Sequence, residues 1–141
     1  MAVDFAPARS SLGRNDPESP KENAIVNYVC LIYSPVARSA SADEQQAERG
    51  AYMAFTEEAR KSGAMTGGLP LQSQDTATTV RLRNGERIVT DGPFAETKEW
   101  LAGFYALDCK SLDEALDWAA KIPGAKYGSI EVRPVMDIPN M

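Results

Sequence analysis

Twice in this chain a strand-like apolar run is followed shortly by Ser-x-x-Glu and then by small or apolar residues at helical spacing. Asn27-Tyr28-Val29-Cys30-Leu31-Ile32-Tyr33 precedes Ser41-Ala42-Asp43-Glu44, and Trp100 to Cys109 precedes Ser111-Leu112-Asp113-Glu114. In that spacing the serine hydroxyl accepts a backbone N–H three residues on, while the glutamate reaches back to the serine's own N–H. Two helix starts are thereby pinned, each directly after a strand. A chain punctuated this way has few folds open to it.

The first run is nearly continuous in β-branched and aromatic residues, which suits a strand buried on both faces, and Ser34-Pro35 ends it. Ala47, Ala51, Phe55 and Ala59 recur every fourth residue along the first helix, and Lys61-Ser62-Gly63 supplies its end. Ala64-Met65-Thr66 reads as a short strand running into Gly67-Gly68. Thr76 to Arg83 and Glu86 to Thr90 flank Asn84-Gly85, the strongest short hairpin signal. A two-residue loop pairs Leu82 with Arg87. A three-residue loop with Gly85 in a bulge pairs Leu82 with Ile88 and gathers one apolar face, so that register is expected. Leu112, Ala115, Leu116 and Ala119 mark the second helix, which Pro123-Gly124 stops; Ser129 to Val135 alternates as the last strand.

The order is therefore β-α-β, a hairpin, β-α-β. It predicts an α+β fold: a ferredoxin-like split βαβ sandwich with an inserted β-hairpin. Two helices cover one face of such a sheet, and a second copy of the chain is the simplest cover for the other. At 141 residues one domain is expected over 27–141, preceded by a flexible arm over 1–26 whose prolines and sparse apolar residues show no periodicity. That arm lacks the apolar core of a signal peptide, and no run approaches the ~20 apolar residues of a membrane span, so a cytoplasmic protein is expected.

Composition removes several chemistries. The chain contains no histidine, which excludes Ser-His-Asp and Cys-His catalysis and His-ligated zinc or haem within it. The net charge of −5 argues against a nucleic-acid surface. Cys30 and Cys109 sit in apolar runs with no electropositive neighbour in sequence, as reduced core thiols do. No metal-ligand cluster is present, and no cofactor is implied.

One segment carries the functional expectation: Thr90-Asp91-Gly92-Pro93-Phe94-Ala95-Glu96-Thr97-Lys98-Glu99. Asp91 before Gly-Pro cannot bond the backbone two residues on, because Pro93 has no N–H. Its carboxylate either caps the turn through later N–H groups or acts on a ligand as a general acid or base. Arg81 and Arg133 could orient an anionic ligand, Tyr33 and Tyr105 could donate a hydroxyl, and Phe94 is an aromatic wall beside the carboxylate.

The Asp91–Glu99 segment, Gly103-Phe104-Tyr105, the Ser111-to-Trp118 helix and Glu131-Val132-Arg133-Pro134-Val135 together resemble the YCII-related family, and within it the DGPF-domain branch, over residues 27–136. The resemblance implies a dimeric α+β barrel with a cleft in each unit, in a family whose activities are for the most part unassigned. An active-site Asp and His have been suspected in YCII-like members. Asp91 corresponds to the Asp, and no histidine exists here to match the other. The expected function is a cofactor-free small-molecule enzyme using Asp91 as acid or base in the dimer-barrel cleft, with Tyr33, Arg81, Phe94, Tyr105 and Arg133 binding a small organic ligand. The alternative is a non-catalytic ligand-binding or regulatory homodimer, a reading fed by the frequent neighbourhood of DGPF-type proteins and sigma-factor systems.

Overall fold

The computed structural model describes residues 24–139, so residues 1–23 of the expected arm lie outside the described residues. Six strands and two α-helices follow one another as β1 (Val26–Pro35), α1 (Ala42–Ser62), β2 (Met65–Pro70), β3 (Thr78–Arg83), β4 (Glu86–Asp91), β5 (Glu99–Cys109), α2 (Leu112–Lys121) and β6 (Ser129–Pro134). A four-stranded antiparallel sheet has the order β2-β5-β1-β6, and β3 and β4 form a separate hairpin. With the hairpin set aside, the order is that of a ferredoxin-like sandwich.

Both helices start at the expected serine, and the first forms the full reciprocal box. The Ser41 hydroxyl accepts the Glu44 N–H at 3.1 Å, and the Glu44 carboxylate accepts the Ser41 N–H at 2.8 Å. At the second start Ser111 accepts from Glu114, but the Glu114 carboxylate reaches one residue further back, to the Lys110 N–H at 2.6 Å. Gly63 closes α1 in the left-handed conformation, at φ 84°.

The core lies between one face of the sheet and the two helices. Tyr28, Cys30 and Ile32 of β1 and Tyr105, Leu107 and Cys109 of β5 pack against Phe55 and Ala59 of α1 and Ala115 and Ala119 of α2. Phe55 sits 4.9 Å from the Tyr105 ring and edge-on to Trp118 at 6.0 Å, an arrangement aromatic quadrupoles favour. Cys30 and Cys109 are free and buried. Burial pushes both thiols up to about 11, so neither is a nucleophile near neutrality. On the opposite face Val29, Leu31, Phe104 and Ala106 share the register and stay half-buried, with neither helix packed on them. At the far edge of the sheet the Val135 N–H donates to the Asn27 carbonyl at 2.8 Å, holding the two ends of the described chain side by side.

Three expectations are corrected. On α2 Ala115 and Ala119 are buried, but Leu112 and Leu116, expected on the same face, are exposed because the short helix turns only its alanine edge to the sheet. The hairpin adopts the two-residue register, pairing Leu82 with Arg87 and Val80 with Val89. Asn84 at φ 53° and Gly85 at φ 77° both take positive φ, as the I′ turn demands, and that turn's twist matches the strands it joins. The three-residue register would gather an apolar face. This hairpin stands clear of the core, with every β4 residue exposed, so no buried face enforces that choice. The α1 stripe also differs: Phe55 and Ala59 are buried, but Ala47 and Ala51 are exposed. In the first half of the helix the sheet-facing positions are Glu48 and Tyr52 instead, and they open a cleft.

Candidate functional site

The cleft lies between α1 and the sheet, at the end of β1 where the strand reaches Ser34. Its volume is about 990 Å³, enough for a small organic molecule. Helix α1 contributes Glu48, Tyr52 and Thr56, which recur every fourth residue and so share one face. Sequence reasoning missed this polar row beside the apolar one. The signal was present in the spacing, hidden by the more conspicuous alanines.

Each member of the row has a partner from elsewhere in the fold. Glu48 receives Arg38, from the β1–α1 loop, at 3.3 Å. The Arg38 guanidinium lies 3.5 Å over the ring of Tyr127, which follows the short helical turn Pro123–Lys126. The Tyr52 hydroxyl accepts the Gly124 N–H at 3.1 Å. Burial raises the Tyr52 pKa, with Glu48 adding to the effect while the Gly124 bond and Arg38 oppose it, so its proton is held firmly. Thr56 Oγ1 is 2.9 Å from the Tyr105 hydroxyl. Met53, Met65, Leu69 and Pro70 line the more apolar side, and Trp100 the other.

Two close approaches shape this cavity. A Cβ on Gly124 would meet the Tyr52 hydroxyl at 2.6 Å, and one on Gly103 would meet the Leu69 carbonyl at 2.8 Å. Glycine at 124 lets the Pro123–Lys126 turn reach Tyr52 from behind. Glycine at 103 lets β2 lie against β5 where the cleft floor forms.

The residues expected from sequence fall into separate places. Tyr33 and Tyr105 line the cleft. Asp91 ends β4 on the hairpin, exposed, directly opposite Thr78. Arg81 faces Ile88, on the other side of the same hairpin, since its pair lies an odd number of rungs from Asp91's. Phe94 is 79% exposed. Arg133 is exposed on β6 opposite Val29, on the helix-free face. The single chain therefore brings together the two tyrosines and leaves Asp91, Arg81, Phe94 and Arg133 outside the cleft.

The Asp91 turn is closed without its carboxylate. Gly92, at φ 99°, donates its N–H to the Ala77 carbonyl at 2.8 Å, and its own carbonyl accepts the Thr79 hydroxyl at 2.8 Å. No helical turn begins at Phe94, and the Asp91 carboxylate has no hydrogen-bond partner among the described residues. No group of three or more Asp, Glu or Cys side chains able to hold a metal occurs among them either. No helix of the described residues is long and apolar enough to cross a membrane.

An uncharacterised protein of Rhizobium meliloti (strain 1021) is 42% identical over 115 residues, spanning 77% of this chain and 90% of that protein. The sequence model of the YCII-related domain matches residues 26–139, from the first residue of β1 to the end of the described chain. By that match, which takes in every strand, both helices and the cleft between them, the chain belongs to the YCII-related domain family.

Proposed function

We propose that this protein binds a small organic molecule in the α1–sheet cleft, as a homodimer in the cytoplasm. The observation that carries the reading is the cavity itself, about 990 Å³, with an apolar lining and a few convergent polar groups. Polar side chains that close onto one another around an apolar floor fix orientation, and the floor supplies affinity. The half-buried apolar face of Val29, Leu31, Phe104 and Ala106, together with exposed Val80, Leu82 and Val89 on the hairpin, supports a second copy as the covering partner.

The test is a ligand-observed NMR screen of the full chain against neutral and charged aromatic and short-chain fragments. Binding should be lost when Ala102→Leu fills the cleft floor, where Ala102 packs against the core. A screen with no hits, or hits indifferent to Ala102→Leu, would remove the cleft as the site.

A catalytic role for Asp91 is the second reading, favoured by a carboxylate with no partner among the described residues on a turn braced by Gly92 and Thr79. A braced turn holds the group still, and a free carboxylate retains its lone pairs for a substrate proton. The Asp91-Gly92-Pro93-Phe94 motif supports the DGPF branch. Arg81, Phe94 and Arg133 would then belong to a site completed across the dimer. If any bound compound is turned over, Asp91→Asn should abolish turnover; undiminished turnover would leave the ligand-binding role alone.

A further inference from the structure

Where the cleft meets the β1–α1 loop, its polar groups are gathered around one cation, Arg38. Arg38 is 30% exposed and Glu48 24%. The guanidinium is held flat on the Tyr127 ring, which fixes its plane and leaves its edge for hydrogen bonding. Its approach to Glu48 is 3.3 Å, longer than the contacts of a tight bidentate arginine–carboxylate pair. Its other side-chain N–H groups have no partner among the described residues. Tyr52 is one helical turn from Glu48, and its hydroxyl already accepts from Gly124, so its proton is available to an acceptor.

The wider lining has the same polarity. Arg38, Arg60 and Lys61 outnumber Glu48 and Glu57 around the cavity, although the chain as a whole carries −5. Beyond Arg38, Glu48 and Trp100 lies a second hollow of about 350 Å³, which those three residues also line. The Arg38–Glu48 pair thus lies between two hollows and lines both. It is not a core ion pair.

We propose that the ligand is an amphipathic monocarboxylate, an aromatic or short-chain aliphatic acid. Its carboxylate replaces Glu48 as the bidentate partner of Arg38 and accepts the Tyr52 proton, and its apolar body lies toward Met53, Met65 and Leu69. Glu48 serves as a stand-in for the ligand headgroup in the empty cleft. It keeps the arginine oriented and competes with the ligand, which sets the affinity lower than an unopposed arginine would give. This inference rests on the small-ligand reading of the cleft and names the class of that ligand.

The experiment is isothermal titration of the full chain, at low ionic strength, with phenylacetate and hexanoate and with their neutral counterparts phenylacetamide and hexanamide. A bidentate charge-assisted pair predicts that each acid binds at least about tenfold tighter than its amide. Arg38→Gln should bring acid and amide within about twofold of each other, because the acid loses far more than the amide does. Glu48→Gln should tighten the acid severalfold by removing its competitor, a result that a merely structural salt bridge would reverse.

Equal binding of acid and amide by the unaltered protein overturns the proposal and leaves the cleft as a ligand site of another class. Weaker acid binding by Glu48→Gln overturns it too. Absence of all binding, amides included, removes the small-ligand reading and this inference with it. The acid–amide comparison needs no variant, so it decides even where Arg38→Gln fails to fold.

Discussion

Thr56 on α1 and Tyr105 on β5 meet hydroxyl to hydroxyl at 2.9 Å, joining the helix to the sheet at the floor of the cleft. The Tyr105 ring is buried against Phe55, so its hydroxyl is the one polar group at the end of an otherwise apolar side chain. Removing either partner leaves the other half-buried without its bond. Tyr105→Phe and Thr56→Val should each lower stability by about 1 kcal/mol. The double variant should cost less than the two singles together, measured by urea unfolding in a double-mutant cycle. Strict additivity would mean that the hydroxyls do not hold the cleft together.

Gly124 and Tyr52 form the opposing wall. Gly124→Ala puts a methyl 2.6 Å from the Tyr52 hydroxyl, so the ring must swing away and the Gly124 N–H loses its acceptor. A loss of about 1–3 kcal/mol is expected. In a Tyr52→Phe background the obstructing oxygen is absent, and Gly124→Ala should be distinctly milder there. Thermal unfolding of the four proteins reads this coupling, and an equal penalty in both backgrounds would place the strain elsewhere.

The first helix start gives stability a pH dependence. Bonds from the Ser41 backbone and side chain lower the Glu44 pKa from its ordinary 4.5. A carboxyl lowered in the folded state stabilises above its unfolded value, and that contribution disappears as pH falls through the folded value. Acid unfolding of Glu44→Gln should accordingly show a smaller fall in stability below pH 4.5 than the unaltered chain does.

Cys30 and Cys109 act at the other extreme. Both are raised from 9.0 to about 11, so the folded state keeps its thiol protons where the unfolded chain loses them. The resulting stability is complete below pH 9 and declines as pH rises toward 11, by on the order of 2 kcal/mol per thiol. A Cys30→Ala, Cys109→Ala double variant should show a flatter alkaline limb. At pH 8 native protein should resist alkylation, with labelling tracking unfolding; rapid labelling under native conditions would contradict the burial of both groups.

The hairpin tests assembly. Val80 is 62% exposed and Leu82 68%, on the face that also carries Val89 and Asp91. Val80→Lys with Leu82→Lys should leave the unfolding midpoint of a monomeric chain nearly unchanged, since surface substitutions usually stay within about 0.5 kcal/mol. In a homodimer closed over this surface it should convert the dimer to monomers in sedimentation velocity. A protein that sediments as a monomer before any substitution would dispose of the dimer.

What could be read from the sequence was whatever short-range chemistry decides. Ser41 and Ser111 announced the helices, Asn84-Gly85 the hairpin, and the Asn27–Tyr33 run a strand in the middle of the sheet. The hairpin register was misread because its choice depended on a buried face, and whether that face is buried is a tertiary fact. The cleft was harder still. Arg38, Trp100 and Tyr127 are distant in sequence and converge only once β5 and β6 lie on either side of β1. Within α1 the Glu48-Tyr52-Thr56 row is masked by Ala47 and Ala51, since a helical alanine fits a buried or an exposed position equally well. Tyr33 and Tyr105 are among the residues lining the cavity, and Asp91, at the end of β4, is not.

The bond from Val135 to Asn27 has a practical corollary. The described chain enters and leaves the domain at one corner, at the Val26 end of β1, whereas the cleft opens near Ser34. Eight extended residues separate the two, about 27 Å. A reporter or surface anchor joined directly before Val26 or after Val135 would therefore be attached well away from the cavity mouth. The same adjacency suits the described domain to circular permutation, with a short linker from Val135 to Val26 and new ends opened at the exposed Asn84-Gly85 tip.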